Sequence, residues 1–213
     1  MDGINLDFEN VYEKDKDNFT KLVCELSPRI RDIGKVISVN VTAPDGAADW
    51  SLCYDRNKLA KAADYLVFMA YDQNGASSTK VGTTAGYNWV ENNIKKFVDE
   101  NREGVDQSKL ILGIPFYSRL WKIKNDEVSS EVVQLRQIAN KIPGNVEKKW
   151  DADLHQNYVE YSQNGITYKI WLEDLQSIKD KLELINKYNL AGAAFWSKDM
   201  ETNDVWKLVN SIL

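Results

Sequence analysis

Residues 2–9 read Asp2-Gly3-Ile4-Asn5-Leu6-Asp7-Phe8-Glu9, and the reading of this octapeptide decides the fold. Ile4, Leu6 and Phe8 alternate with Asn5, Asp7 and Glu9. In a strand, residues i, i+2 and i+4 share one face, so the apolar and the polar sets point opposite ways. Burying carboxylates costs free energy unless they are hydrogen-bonded, so a row of them is expected to have a task. Neighbours along one strand face stand roughly 7 Å apart. An ionised Asp7 therefore favours the protonated form of Glu9, which is what a general acid needs. The alternative is a half-exposed edge strand with a solvated acidic face.

Working outward, the chain alternates strand and helix. Phe19, Leu22, Val23, Leu26 and Ile30 recur at helical spacing within 15–33, with Asp15 or Asp17 as the cap and Pro28 as a kink or break. Val36–Val41 is a short β-branched strand, followed by a Pro44–Gly46 turn and a helix over 55–63. Tyr65–Tyr71 is apolar on both faces, as in a parallel sheet covered by helices. A loop rich in Gly, Ser and Thr spans 74–86. A helix over 89–101 precedes a buried strand at Leu110–Pro115. Leu175–Tyr188 is helical, Ala191–Trp196 is a strand, and 205–213 is a closing helix. This rhythm predicts a parallel α/β architecture. It breaks between Tyr117 and Leu172, where Tyr158–Tyr161 and Ile166–Trp171 flank Asn164-Gly165, a strong hairpin signal. The expected division is a barrel-type domain over 1–117 and 172–213, with a small α+β insertion over 118–171.

Composition narrows the function. The 213 residues suffice for one sizeable domain. A net charge of −5, with both signs interspersed, offers no basic patch for nucleic acid. The apolar runs are too short to span a bilayer. Two cysteines, Cys24 and Cys53, form neither a metal spacing nor a disulfide framework, and Cys24 is expected to be a buried free thiol. The lone His155 supports neither a Ser-His triad nor a multi-histidine metal site, and reads as structural. Seven Trp and ten Tyr suit sugar platforms as well as core packing.

Three more motifs end strands. Met69-Ala70-Tyr71-Asp72 ends the third. Gly113-Ile114-Pro115-Phe116-Tyr117, with Arg119, follows the fourth. Trp196 ends the last. Together with the octapeptide, their order and spacing resemble glycoside hydrolase family 18. That family's signature is Asp-x-x-Asp-x-Asp-x-Glu, and Asp2, Asp7 and Glu9 match it, while Asn5 stands in place of the second Asp. Stretches 40–55 and 113–121 resemble the bacterial spore-cortex members of the family.

The resemblance implies a (β/α)8 TIM barrel with its chemistry at the C-terminal strand ends. This chain would supply strands four to eight and lack the first three. Two apolar edges would then stay open for a missing N-terminal half-barrel or a second copy. A first active-site strand directly after Met1, with no signal peptide, points to a truncated chain. The implied activity is substrate-assisted retaining cleavage of glycans bearing 2-acetamido sugars, peptidoglycan or chitin, with no metal or cofactor. Glu9, Asp7 and Tyr71 would be catalytic. Asp72, Met69, Tyr117, Arg119, Trp196 and Asn40 would bind substrate. The implied location is extracellular, in the cell wall or spore envelope. The rival expectations are a non-catalytic glycan-binding relative and an inactive partial barrel.

Overall fold

Apolar, β-branched segments form the strands of one sheet, and a run of turn-separated amphipathic strands forms another. The structure is a computed structural model that describes residues 1–47 and 50–213. In chain order the elements are β1 (Gly3–Leu6), α1 (Lys16–Asp32), β2 (Val36–Val41), α2 (Arg56–Ala62), β3 (Tyr65–Met69), α3 (Tyr87–Val98), β4 (Leu110–Pro115), β5 (Tyr117–Lys124), β6 (Glu127–Gln134), α4 (Ile138–Lys141), β7 (Lys149–Asp151), β8 (Gln156–Gln163), β9 (Ile166–Leu172), α5 (Leu175–Tyr188), β10 (Gly192–Trp196) and α6 (Asn203–Ile212). The chain divides into two compact units. The first comprises Met1–Met69, Asn92–Gly113 and Ile185–Ala194; the second comprises Ala70–Glu91, Ile114–Leu184 and Phe195–Leu213.

The first unit is built on a five-stranded sheet in the order β1-β2-β3-β4-β10. The pairs β1/β2, β2/β3 and β3/β4 are parallel, with Ile4 opposite Ile37, Val39 opposite Leu66 and Phe68 opposite Leu112. This is a half-barrel sheet of the expected α/β class. It is open, with β1 and β10 as its edges. Its sheet packs apolar side chains, with Ile37, Val39, Leu66, Phe68, Leu110 and Leu112 all at 0% exposure, and Arg56 is buried beside them on the carbonyls of Thr42, Ala43 and Ser51. Phe68 packs on Phe97 of α3 with ring centroids 4.9 Å apart. Gly3 is required at the start of β1, because a Cβ there would lie 2.1 Å from the Val36 carbonyl oxygen. Asp64 ties this same end of β2 to its neighbours. Its carboxylate accepts from the Ile37 N–H at 2.9 Å and from Arg31 at 2.8 Å.

Four expectations are corrected in this unit. The octapeptide strand ends at Leu6, so Asp7, Phe8 and Glu9 lie beyond it, and Asn5, Asp7 and Glu9 are exposed rather than buried. An edge strand has only one neighbour to cover it. Helix α1 runs unbroken through Pro28, giving up one backbone hydrogen bond without splitting. Its N-cap Asp15 makes no side-chain cap bond. Cys24 is exposed, because the buried stripe of α1 runs through Phe19, Thr20, Val23 and Ser27, and position 24 falls one residue off it. Cys53 is buried, and burial pushes its thiol up, against the pull of Tyr54 and Arg56.

The second unit carries an antiparallel sheet in the order β6-β5-β9-β8-β7. The β8–β9 hairpin turns at Asn164-Gly165, as the sequence indicates, with φ of 53° and 72°. The β5–β6 hairpin turns at Asn125-Asp126, with φ of 48° and 65°. Two central residues with positive φ match the twist of the flanking strands, which explains Asn, Asp and Gly there. The interior of this unit is partly polar. Lys181 and Glu173 are both fully buried and pair at 2.9 Å. Burial pushes the Glu173 carboxyl up, and Lys181 works against that rise. His155 stacks on Tyr87 at 4.0 Å and its Nδ1 lies 2.8 Å from Asp180, a structural setting. Among the described residues, no helix is long and apolar enough to cross a membrane.

Candidate active site

In the first unit the pairing of β1 with β2 places Asn5 opposite Ser38. The Asn5 amide donates to Ser38 Oγ at 2.8 Å and to Asn40 Oδ1 at 2.9 Å. Both of its amide protons are therefore used, and Asn40 is joined to the octapeptide by a neutral hydrogen bond. Asp7 and Glu9 follow, both exposed.

The peptide between them is anchored by Tyr54. Its hydroxyl donates to the Phe8 carbonyl at 2.8 Å. The Phe8 ring lies 5.5 Å from Phe19, and Phe19 lies 6.0 Å from Tyr54. Burial, then the nearby Cys53 and Glu9 charges, hold the Tyr54 hydroxyl well above the usual phenol range. It stays a proton donor and fixes the backbone one residue before Glu9. Tyr54 was not singled out from the sequence. No local pattern marks it, because its partner is 46 positions away.

In the second unit the candidates converge. Asp72 has a φ of 54°, a left-handed conformation that Asp tolerates better than most residues. Its Oδ1 accepts from the Tyr117 hydroxyl at 2.8 Å and from Arg119 Nη2 at 3.3 Å. Tyr117 and Arg119 are 4% and 6% exposed, whereas the Asp72 side chain is 51% exposed. A half-open carboxylate thus sits on two buried donors. Burial, followed by the Asp72 charge, raises the Tyr117 hydroxyl far above the usual phenol range, so it remains a donor. The Tyr71 ring lies 6.4 Å from Tyr117, edge to face. Arg119 also reaches Ser130 Oγ at 3.3 Å, and its Nε–H is buried without a partner.

Trp196 is 49% exposed at the end of β10. Its carbonyl accepts from the Phe116 N–H at 2.7 Å, and Phe116 stacks on Phe195 at 4.7 Å. The indole is thus free to face solvent while its backbone is held. Met69 ends β3 opposite Gly113 and is buried. The structure therefore joins Asn40 to Asn5 within the first unit, and Tyr71, Asp72, Tyr117 and Arg119 within the second. Among the described residues, no group of three or more His, Cys, Asp or Glu is placed to hold a metal ion.

Known proteins resemble this chain along nearly its whole length. The family Glycosyl hydrolases family 18 matches residues 1–201. The uncharacterized glycosylase YvbX of Bacillus subtilis is 27% identical over an alignment covering 97% of this chain and 60% of its own length. A chitinase from Chromobacterium violaceum is 28% identical, with a TM-score of 0.87 over 99% of this chain and 65% of its own. The spore cortex-lytic enzyme SleL of Bacillus megaterium gives a TM-score of 0.86 at 21% identity, a likeness of fold alone. It is matched over 49% of its length by the whole of this chain. The chain thus spans between 49% and 65% of these relatives.

Proposed function

This chain belongs to glycosyl hydrolase family 18, and on that premise we propose that it is a glycosidase acting on β-linked N-acetylglucosamine glycans, peptidoglycan or chitin, by substrate-assisted retaining catalysis. The observation that carries the reading is the pair Asp7 and Glu9 at the C-terminal end of β1, inside a family match over residues 1–201. The relatives named above as a glycosylase and a chitinase support a glycan as the substrate class. The proposed location is a cell wall or spore envelope.

The residues have separate tasks in this reading. The substrate's acetamido oxygen attacks the anomeric carbon and forms an oxazolinium ion. Glu9 gives its proton to the departing glycosidic oxygen as the bond breaks. Glu9 then takes a proton from water as that water attacks the same carbon and the bond from that carbon to the acetamido oxygen breaks, which restores both the acid and the acetamido group. Asp7 holds the acetamido N–H and offsets the positive charge. Tyr71 holds the acetamido carbonyl in place for attack. Asp72, Tyr117 and Arg119 bind the sugar, Trp196 offers it a flat apolar face, and Asn40 supports the octapeptide through Asn5. The family uses the substrate's own acetamido group where other retaining enzymes use a second carboxylate.

One observation favours a second reading for the chain by itself. Glu9 is exposed just beyond the end of the edge strand β1, and a site open to water lacks the water exclusion that strengthens catalytic electrostatics. The isolated chain would then bind glycan without turning it over. Hydrolysis of N-acetylglucosaminides and of matched glucosides tests both readings. Turnover of the acetamido substrates alone supports catalysis by this route. Equal turnover of both contradicts it, and binding without turnover supports the second reading.

A further inference from the structure

The Asp72–Tyr117–Arg119 cluster is held from behind by one buried carboxylate. Glu173 is fully buried at the end of β9, and so are Lys181 of α5, Gln156 of β8 and Ser118 of β5. The Glu173 carboxylate accepts from Lys181 Nζ at 2.9 and 3.2 Å, from Ser177 Oγ at 3.0 Å and from the Gln156 amide. From Glu173 run two arms, one from its backbone N–H and one from its carboxylate.

The first arm passes through backbone. The Glu173 N–H donates to Ser118 Oγ at 2.7 Å. Ser118 lies between Tyr117 and Arg119, the two donors to Asp72. The second arm passes through side chains. Gln156 Oε1 accepts from the Thr83 hydroxyl. Thr83 closes the loop that leaves Asp72: its carbonyl accepts from Asn74 Nδ2 at 2.9 Å, and the adjacent Thr84 carbonyl accepts from the Gln73 N–H at 2.9 Å. One arm therefore fixes the donors and the other fixes the acceptor.

We propose that Glu173, held by Lys181, is a positioning residue that sets the Asp72–Tyr117–Arg119 geometry for ligand binding. The inference rests on the reading of that cluster as sugar-binding. A buried ion pair adds little to stability relative to an apolar pair of similar volume, so a positional role is a better reason for it than strength. Glu173 also uses its N–H and a carboxylate oxygen on Ser118 and Gln156, the neighbours that lead to the cluster.

The test compares wild type with Glu173→Leu/Lys181→Met, which removes both charges and fills their space with apolar atoms. Two readouts are taken: the NMR signal of the Arg119 Nε–H, and affinity for an N-acetylglucosamine tetramer. The expected result is a melting temperature within about 4 °C of wild type. The Arg119 signal is expected to shift or broaden, and affinity to fall about tenfold or more. Thr83→Val and Ser118→Ala each cut one arm and carry the same test if the double variant does not fold. An Arg119 signal unchanged in the double variant, or in both single-arm variants, overturns the proposal whether or not sugar binds. Failure of wild type to bind the tetramer, with the Arg119 signal still altered in the variants, overturns the sugar-binding reading and leaves the positioning role standing. Affinity lost only in proportion to lost fold, with the signal intact, contradicts it.

Discussion

The two units bury different things. The first closes over Ile37, Val39, Leu66, Phe68 and Leu112, and buries the Arg56 guanidinium on the backbone carbonyls of Thr42, Ala43 and Ser51 rather than on a buried carboxylate. The second buries a lysine, a glutamate, a glutamine and an arginine beside its apolar side chains. An apolar core is held by area and packing, and it tolerates small misfits. A polar interior is held by direction, because each donor must find its acceptor. The first unit therefore supplies a stiff platform ending in Asp7 and Glu9. The second supplies side chains fixed in orientation, as a binding cluster requires.

The contrast can be broken by unequal substitutions. Lys181→Met should have the largest effect on stability, about 4 kcal/mol, because it leaves the Glu173 charge buried and unpaired. Denaturant melts with an unchanged slope would measure it, and a loss below about 1 kcal/mol would mean water reaches the pair. Leu66→Ala in the first unit should cost about 3 kcal/mol, by lost transfer energy and a residual cavity. If the apolar truncation proved much the more damaging of the two, the polar interior would not be the more brittle.

These differences also govern what the sequence disclosed. Tyr65–Met69 and Leu110–Pro115 are legible as strands because burial on both faces writes a continuous apolar run. Asn164-Gly165 is legible because the turn geometry selects those residues. The β5–β6 hairpin uses the same turn at Asn125-Asp126, but its strands mix charged and polar residues, so the turn stood without a pattern around it. The motifs at Glu9, Asp72, Tyr117 and Trp196 are local strings and could be read as such. The exposure of Glu9 could not, since it follows from β1 being an edge. Nor could Tyr54 or Glu173, whose links to Phe8 and Ser118 span 46 and 55 positions.

The smallest expected effect concerns pH in the first unit. Burial works against ionisation of Asp64, but the Ile37 N–H and then Arg31 outweigh it and hold the carboxyl below its usual range. A depressed carboxyl stabilises the fold fully above its unfolded value. That contribution is lost as pH falls through the lower folded value. Asp64→Asn should therefore cost about 1 kcal/mol near neutral pH and nothing at strongly acid pH. A cost that is the same at both pH values would show that the contribution comes from shape alone.

The central claim is that Glu9 is the acid of a family 18 glycosidase. Its most direct test is the hydrolysis rate of Glu9→Gln against wild type on an N-acetylglucosamine oligomer, with melting curves taken on both. The melt is expected to be unchanged and the rate lower by about 10²- to 10⁴-fold. A variant that folds and retains most of the wild-type rate would contradict it.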